Sequence, residues 1–188
     1  MKFSAEIDSL IEALQALKAL EADVAAVVEI CVDALKAGNK VVFCGNGGSA
    51  SQAQHLAAEL VGRYKVNRPA MNSISLTVDT SALTAIGNDY GFDVVFARQI
   101  EGVGNAGDVL IGLSTSGSSK NVVAAFESAK RKGIKTVAFV GSKPCAMKDL
   151  ADATIAVPAD VSNKIQEMHL AVGHYICGEI EKRFYSFK

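Results

Sequence analysis

Apolar residues recur along this chain with two different periods, and the changes of period mark out its elements. Over the first 37 residues, Phe3, Ile7, Leu10, Leu14 and Leu17, then Leu20, Val24, Val27, Cys31 and Leu35, fall three or four apart, the spacing of one helical face. Gly38 stands where a C′ residue ends such a helix. Short apolar runs follow at 41–44, 73–78, 109–113, 135–140 and 153–157, the second alternating and the others nearly continuous, and each reads as a strand. Helices are predicted between them: Ala50 to about Tyr64, a short one ending near Gly87-Asn88-Asp89, 94–103, and 121–132. Loops are expected at Lys65–Pro69, at 104–107 and at the Pro-containing 141–145. In the last segment Ile165, Met168, Val172 and Ile176 keep helical spacing.

Strand, turn and helix in alternation predict an α/β fold, a three-layer doubly wound sandwich whose five-stranded parallel sheet is covered on both faces. The expected organisation is one domain over 1–188, with an N-terminal helical segment at 1–37 and the α/β core at 38–188. The stripe on 1–37 exceeds what one face of such a sheet needs, and a partner subunit is one candidate cover.

Ligands of such folds bind outside the carboxyl ends of the strands. Two polar turns fall there. The first, Gly45-Asn46-Gly47-Gly48-Ser49, suits a tight strand-to-helix turn, with Ser49 at the expected N-cap and the following N–H groups aimed at the turn. It is neither the dinucleotide nor the Walker pattern, since no Lys follows the glycines. The second, Ser114-Thr115-Ser116-Gly117-Ser118-Ser119, opens a helix, and its hydroxyls and amides can surround a phosphate without a cation. By itself the first turn is equally an ordinary connection, whereas the placement of the second favours phosphate over an ordinary Ser/Gly loop.

His55 and Glu59 lie four apart on one helix face, two candidate metal or proton-transfer ligands beside the first turn. The other histidines, His169 and His174, share the C-terminal helix with Gln166. Gln166 and His169 are one turn apart on a shared face, and His174 follows two turns along. A lone helical histidine is commonly structural. Polar pairs on two separate helices lower that expectation without showing that the helices meet.

Composition narrows the classes. The 188 residues are 49% hydrophobic and 21% charged, with net charge −1 and no long basic run, so nothing recommends nucleic acid. Cys31, Cys44, Cys145 and Cys177 lack paired metal spacing and read as reduced thiols of a cytoplasmic protein. No apolar run approaches membrane-spanning length, and the N-terminus lacks an export core.

Read together, Cys44-Gly45-Asn46-Gly47-Gly48-Ser49-Ala50, the His55/Glu59 pair, Ala85-Ile86-Gly87-Asn88-Asp89, Leu113–Gly117 and Ile165-Gln166-Glu167-Met168-His169 closely resemble the sugar isomerase (SIS) family over nearly the whole chain. Its fold is flavodoxin-like. The similarity is to the branch that converts sedoheptulose 7-phosphate to D-glycero-D-manno-heptose 7-phosphate, at the start of ADP/GDP-heptose synthesis for lipopolysaccharide core or capsule. The resemblance implies a cytoplasmic homotetramer with sites at subunit boundaries and one zinc ion per subunit. Ser114, Thr115, Ser116 and Ser119 would hold the phosphate, and Asn46, Gly47, Gly48, Ser49, Asn88, Asp89, Glu59 and Gln166 would contact substrate. His55, Glu59, Gln166 and His174 match the zinc ligands, and Glu59 with His174 the acid/base pair. Gln is an unusual zinc ligand and a coordinating Glu a poorer base, so a structural and a catalytic metal both stay open. The chain departs from the family at Asn163-Lys164, where Asp-Arg occurs in some members, and at Ser142–Cys145, commonly Gly-rich. A non-catalytic branch that binds the replication initiator protein lacks counterparts of Glu59 and His174. Another phosphosugar as substrate is the remaining alternative.

Overall fold

Five parallel strands, β1 (Val41–Gly45), β2 (Ser73–Ser75), β3 (Val109–Leu113), β4 (Lys135–Val140) and β5 (Ala153–Ala156), form one sheet in the order β2-β1-β3-β4-β5. The structure, a computed structural model, describes residues 2–185, so residues 1 and 186–188 of the expected unit lie outside the described residues. The helices are α1 (Phe3–Ala16), α2 (Glu21–Lys36), α3 (Gly48–Val61), α4 (Thr80–Tyr90), α5 (Val95–Val103), α6 (Lys120–Arg131), α7 (Ala146–Leu150) and α8 (Ser162–Phe184).

Alternation along each strand builds two cores. Val41, Phe43, Val109, Ile111, Val137 and Phe139 point to the side covered by α2, α3 and α8. Val42, Cys44, Leu110, Ala138 and Val140 point to the side covered by α5, α6 and α7. Both faces being buried explains why the strands read as nearly continuous apolar runs. The strand order is the flavodoxin-like one, and its direction reverses between β1 and β3.

The N-terminal stripe divides in two. A 3-10 turn at Leu17–Leu20 separates α1 from α2. The second half packs, burying Val24, Val27, Val28 and Cys31. The first half buries nothing: Phe3 is 80% exposed and Ile11 48%. β2 is shorter than the expected 73–78, because Ser75 and Thr77 turn the chain locally through a 2.7 Å hydroxyl contact. α4 runs past Gly87 and carries Asn88 and Asp89 within it, ending at Gly91 with φ 89°. After the expected loop at 141–145 the chain makes one further short helix, α7, too brief to show a period.

The helices α3 and α8 lie side by side and run the same way. Their contacts advance together, from Gln52 against Gln166 to Leu56 against Cys177, and on to Tyr64 against Glu181. An ion pair with no solvent exposure locks the far end: Arg68 Nε to Glu181 Oε1 at 2.9 Å. Arg68 spends its other donors on carbonyls at the end of α3, including Leu60 and Glu59 at 2.8 Å each, which no intrahelical donor can reach. Burial pushes the Glu181 carboxyl up, but the N–H groups of Lys65, Tyr64 and Val66 and the Arg68 guanidinium outweigh it, so the group is held below its ordinary value. Glu181→Gln strands the guanidinium without its counter-charge. It is expected to lower the unfolding free energy by about 3–5 kcal/mol in urea titration.

Candidate active site

Gly45 and Leu113 are paired at the ends of β1 and β3, so the two polar turns leave the sheet side by side at the point where strand order reverses. A reciprocal amide pair ties them together: Asn46 Nδ2 donates to Asn121 Oδ1 at 2.8 Å, and Asn121 Nδ2 donates back at 2.9 Å. Asn121 is buried and was not among the residues expected at the site. Its only signal in the sequence is its place two residues past the serine turn.

In the first turn Gly47 takes positive φ, 55°, and serves as N-cap, so α3 begins at Gly48, earlier than expected. Ser49 and Ala50 direct their N–H groups to the carbonyls of Asn46 and Gly47 at 3.0 Å, so these donors serve the turn and not an anion. Gly48 leaves space for the Gln166 amide: a Cβ there would lie 2.7 Å from both of its polar atoms and would displace it. This contact brings Gln166, on α8, to the mouth of the first turn. Gln52 steadies it from below by donating to the Gln166 carbonyl at 2.5 Å.

The second turn is preorganised by its own hydroxyls. Ser114 Oγ lies 2.9 Å from Ser119 Oγ and 3.4 Å from Ser116 Oγ, and accepts the Gly117 N–H at 3.1 Å. Ser119 precedes α6 without capping it through its side chain, which leaves the helix N-terminus facing the turn. Thr115 and Ser116 border a cleft of about 250 Å³ that Lys143, Asp160 and Ser162 also line. Among the described residues the hydrogen bonds of these serine hydroxyls are to one another and to backbone N–H groups.

About two helical turns further along α3, His55 and Glu59 meet His174 of α8. His55 Nε2 lies 2.7 Å from His174 Nε2 and 3.2 Å from Glu59 Oε1. The two ring nitrogens share at most one proton at that distance, so at least one presents a lone pair toward the common centre. Three donors with ligand atoms all within 4.8 Å of one another form a His-His-carboxylate set of the kind that zinc accepts. The Tyr64 ring stacks on the His174 ring, 5.7 Å between centroids and 22° between planes. Tyr64 and His174 are too far apart in sequence for any local spacing to pair them.

His169 turns the other way. It has no exposed surface, packs edge-on against Phe139, and bonds through Nε2 to the Val140 carbonyl at 3.2 Å. Nε2 is therefore the protonated nitrogen, and the buried Nδ1 has no partner. Asn88 and Asp89 also stand apart: both are exposed on α4 and bond to each other at 2.8 Å. Within one chain α4 lies against α5, on the opposite side of the sheet from α3 and α8.

This architecture and site place the chain in a known class. The SIS domain family model matches residues 2–141, and the chain belongs to that family. Its relatives are more particular: it is 58% identical over 180 residues to the phosphoheptose isomerase of Akkermansia muciniphila, covering 96% of this chain and 95% of that one. Phosphoheptose isomerase GmhA from Neisseria gonorrhoeae superposes with a TM-score of 0.90 at 38% identity, over 95% of this chain and 96% of that one. A phosphoheptose isomerase from Francisella tularensis gives 0.89 at 34% identity, over 97% and 100%.

Burial holds the His169 imidazole neutral and brings its pKa down to about 4 from an ordinary 6.5, against the opposing pull of the Val140 carbonyl. A depressed histidine stabilises the fold fully above the unfolded value and loses that contribution as pH falls toward the folded one. Between pH 6.5 and 4 this group alone is expected to remove about 3 kcal/mol of stability. His169→Gln should flatten that part of the stability–pH curve measured by denaturant unfolding.

Proposed function

We propose that this chain isomerises sedoheptulose 7-phosphate to D-glycero-D-manno-heptose 7-phosphate, the entry to nucleotide-heptose synthesis. One observation carries the reading: the Glu59 carboxylate and the His174 imidazole, 115 positions apart, come together around one centre in a chain 58% identical to a phosphoheptose isomerase. A non-catalytic binding role gives no reason for that convergence.

The reaction moves hydrogen between C1 and C2 with no net oxidation. In our reading Glu59 takes one proton from C1, the C1–H electron pair becomes the C1=C2 bond of an enediol, and the former carbonyl oxygen takes up a proton. His174 exchanges the protons on O1 and O2, and Glu59 returns its proton to C2 as the C1 carbonyl forms. Each group supplies about 10²–10⁴-fold when correctly placed. The serine turn and the α6 N-terminus hold the phosphate, and Asn46 and Gln166 orient the carbon chain.

His55, Glu59 and His174 fit a zinc ion, with Gln166 as the proposed fourth ligand, one ion per subunit. When bound, zinc supplies Lewis-acid polarisation of the substrate's carbonyl oxygen. The four cysteines are all free and buried, which supports action in the reducing cytoplasm. Among the described residues no helix is long and apolar enough to cross a membrane.

We further propose a homotetramer. The exposed stripe of α1 and an apolar groove of about 580 Å³ between α2 and α8, lined by Leu17, Val24, Val28, Val172 and Tyr175, support it. Asn88 and Asp89 then reach the site of a neighbouring subunit. Removing residues 1–20 is expected to dissociate the assembly and abolish activity, as followed by light scattering; a fully active monomer would exclude the shared site.

The activity is tested directly by NMR of purified protein with sedoheptulose 7-phosphate, with and without zinc. Turnover to an aldoheptose phosphate is expected, and Glu59→Gln should lose at least about 10²-fold in kcat with the fold intact. No turnover in either condition refutes the reading.

A further inference from the structure

Nothing in the 2.7 Å approach of His55 fixes the plane of the His174 ring, and the terminal torsion of an imidazole is broad. Two rings bracket it instead. His55 meets it edge-on, at 5.0 Å and 79°, and Tyr64 covers one face at 5.7 Å and 22°. Tyr64 is itself held from the backbone: its N–H donates to Glu181 Oε1 at 3.1 Å, while Lys65 and Val66 donate to Oε2 at 2.8 and 3.2 Å. That carboxylate is the buried partner of Arg68. On α8, one turn beyond His174, Gly178 leaves the room the ring occupies, since a Cβ there would lie 3.0 Å from Tyr64 Cε1.

We infer that Tyr64 is a positioning residue: clamped by Glu181, its ring sets the plane of His174 so that Nε2 faces His55 and Glu59. Its effect on the reaction runs through His174. For its effect on turnover the inference rests on the isomerase reading; for the geometry it does not. A rotation of the imidazole carries Nε2 off the shared centre, and small misplacements of a reacting group cost rate more than binding.

The test uses full-length protein. Tyr64→Leu is expected to lower kcat about tenfold while KM stays within about twofold, and Tyr64→Phe, which keeps the ring, restores kcat. With ¹³C-labelled histidine, the His174 ring protons should show a ring-current displacement in the wild type and the Phe variant that is absent in the Leu variant. Gly178→Ala crowds the ring without removing it. It should reduce kcat while Tm holds or rises, because Ala favours a helix interior over Gly, and it keeps the test open should the Leu variant not fold. Unchanged His174 signals in Tyr64→Leu, or wild-type kcat in both the Leu and the Ala variants, overturn the inference. If the wild type itself turns over no sugar phosphate, the isomerase reading fails, and the role of Tyr64 is then decided by whether Gly178→Ala, which keeps the ring but displaces it, moves the His174 ring signals.

Discussion

The buried pair of Arg68 and Glu181 is the constraint on which the site geometry depends. Two charges with no exposure are stable only if every donor and acceptor is satisfied. Here the carboxylate takes three backbone N–H groups and one guanidinium N–H, and the guanidinium takes the carbonyls that close α3. The same bonds that neutralise the charges therefore fix where α3 ends and how α8 lies along it. A slip of one residue between these helices would break the pair and separate His55 from His174 together. An apolar replacement could fill the volume, but it would not specify the register.

At the other end of the same helices the control is steric. Gly48 lets Gln166 close on the first turn, and Gly173 admits Leu56, whose nearest side-chain carbon would lie 2.6 Å from a Cβ there. Close approach at one end and a buried ion pair at the other hold two parallel helices with little freedom to slide. The Asn46–Asn121 pair adds a cross-tie between the two turns, so the serine turn and the His55/Glu59/His174 cluster belong to one connected frame.

Much of this was legible in the residue pattern. Continuous apolar strands announced a doubly covered parallel sheet, and turns directly following β1 and β3 had to share an edge. The four-residue spacing of His55 and Glu59 put them on one face without any tertiary knowledge. The buried place of His169 was legible too: Ile165, His169, Val172 and Ile176 form one buried stripe, with Gln166 and His174 beside it. Other features were out of reach. Tyr64 against His174, and Arg68 against Glu181, join positions more than a hundred residues apart, and no local period encodes such a meeting. The five-residue α7 is too brief to show a period, and the early end of β2 goes with the local Ser75–Thr77 contact.

The exposure of the cluster bears on the proposed assembly. The His55 side chain is 46% exposed, and Glu59 is partly so. In water a pair of charges at contact interacts with about 1 kcal/mol, and a dry site strengthens the same contact several-fold. An enediolate needs its donors in such a dry, preorganised setting. The cluster lies between α3 and α8, with Tyr64 over one face of His174 and the His55 side open. In the proposed homotetramer a covering subunit at that surface would exclude water from Glu59 and His174, and the contact would then serve the chemistry as well as the assembly.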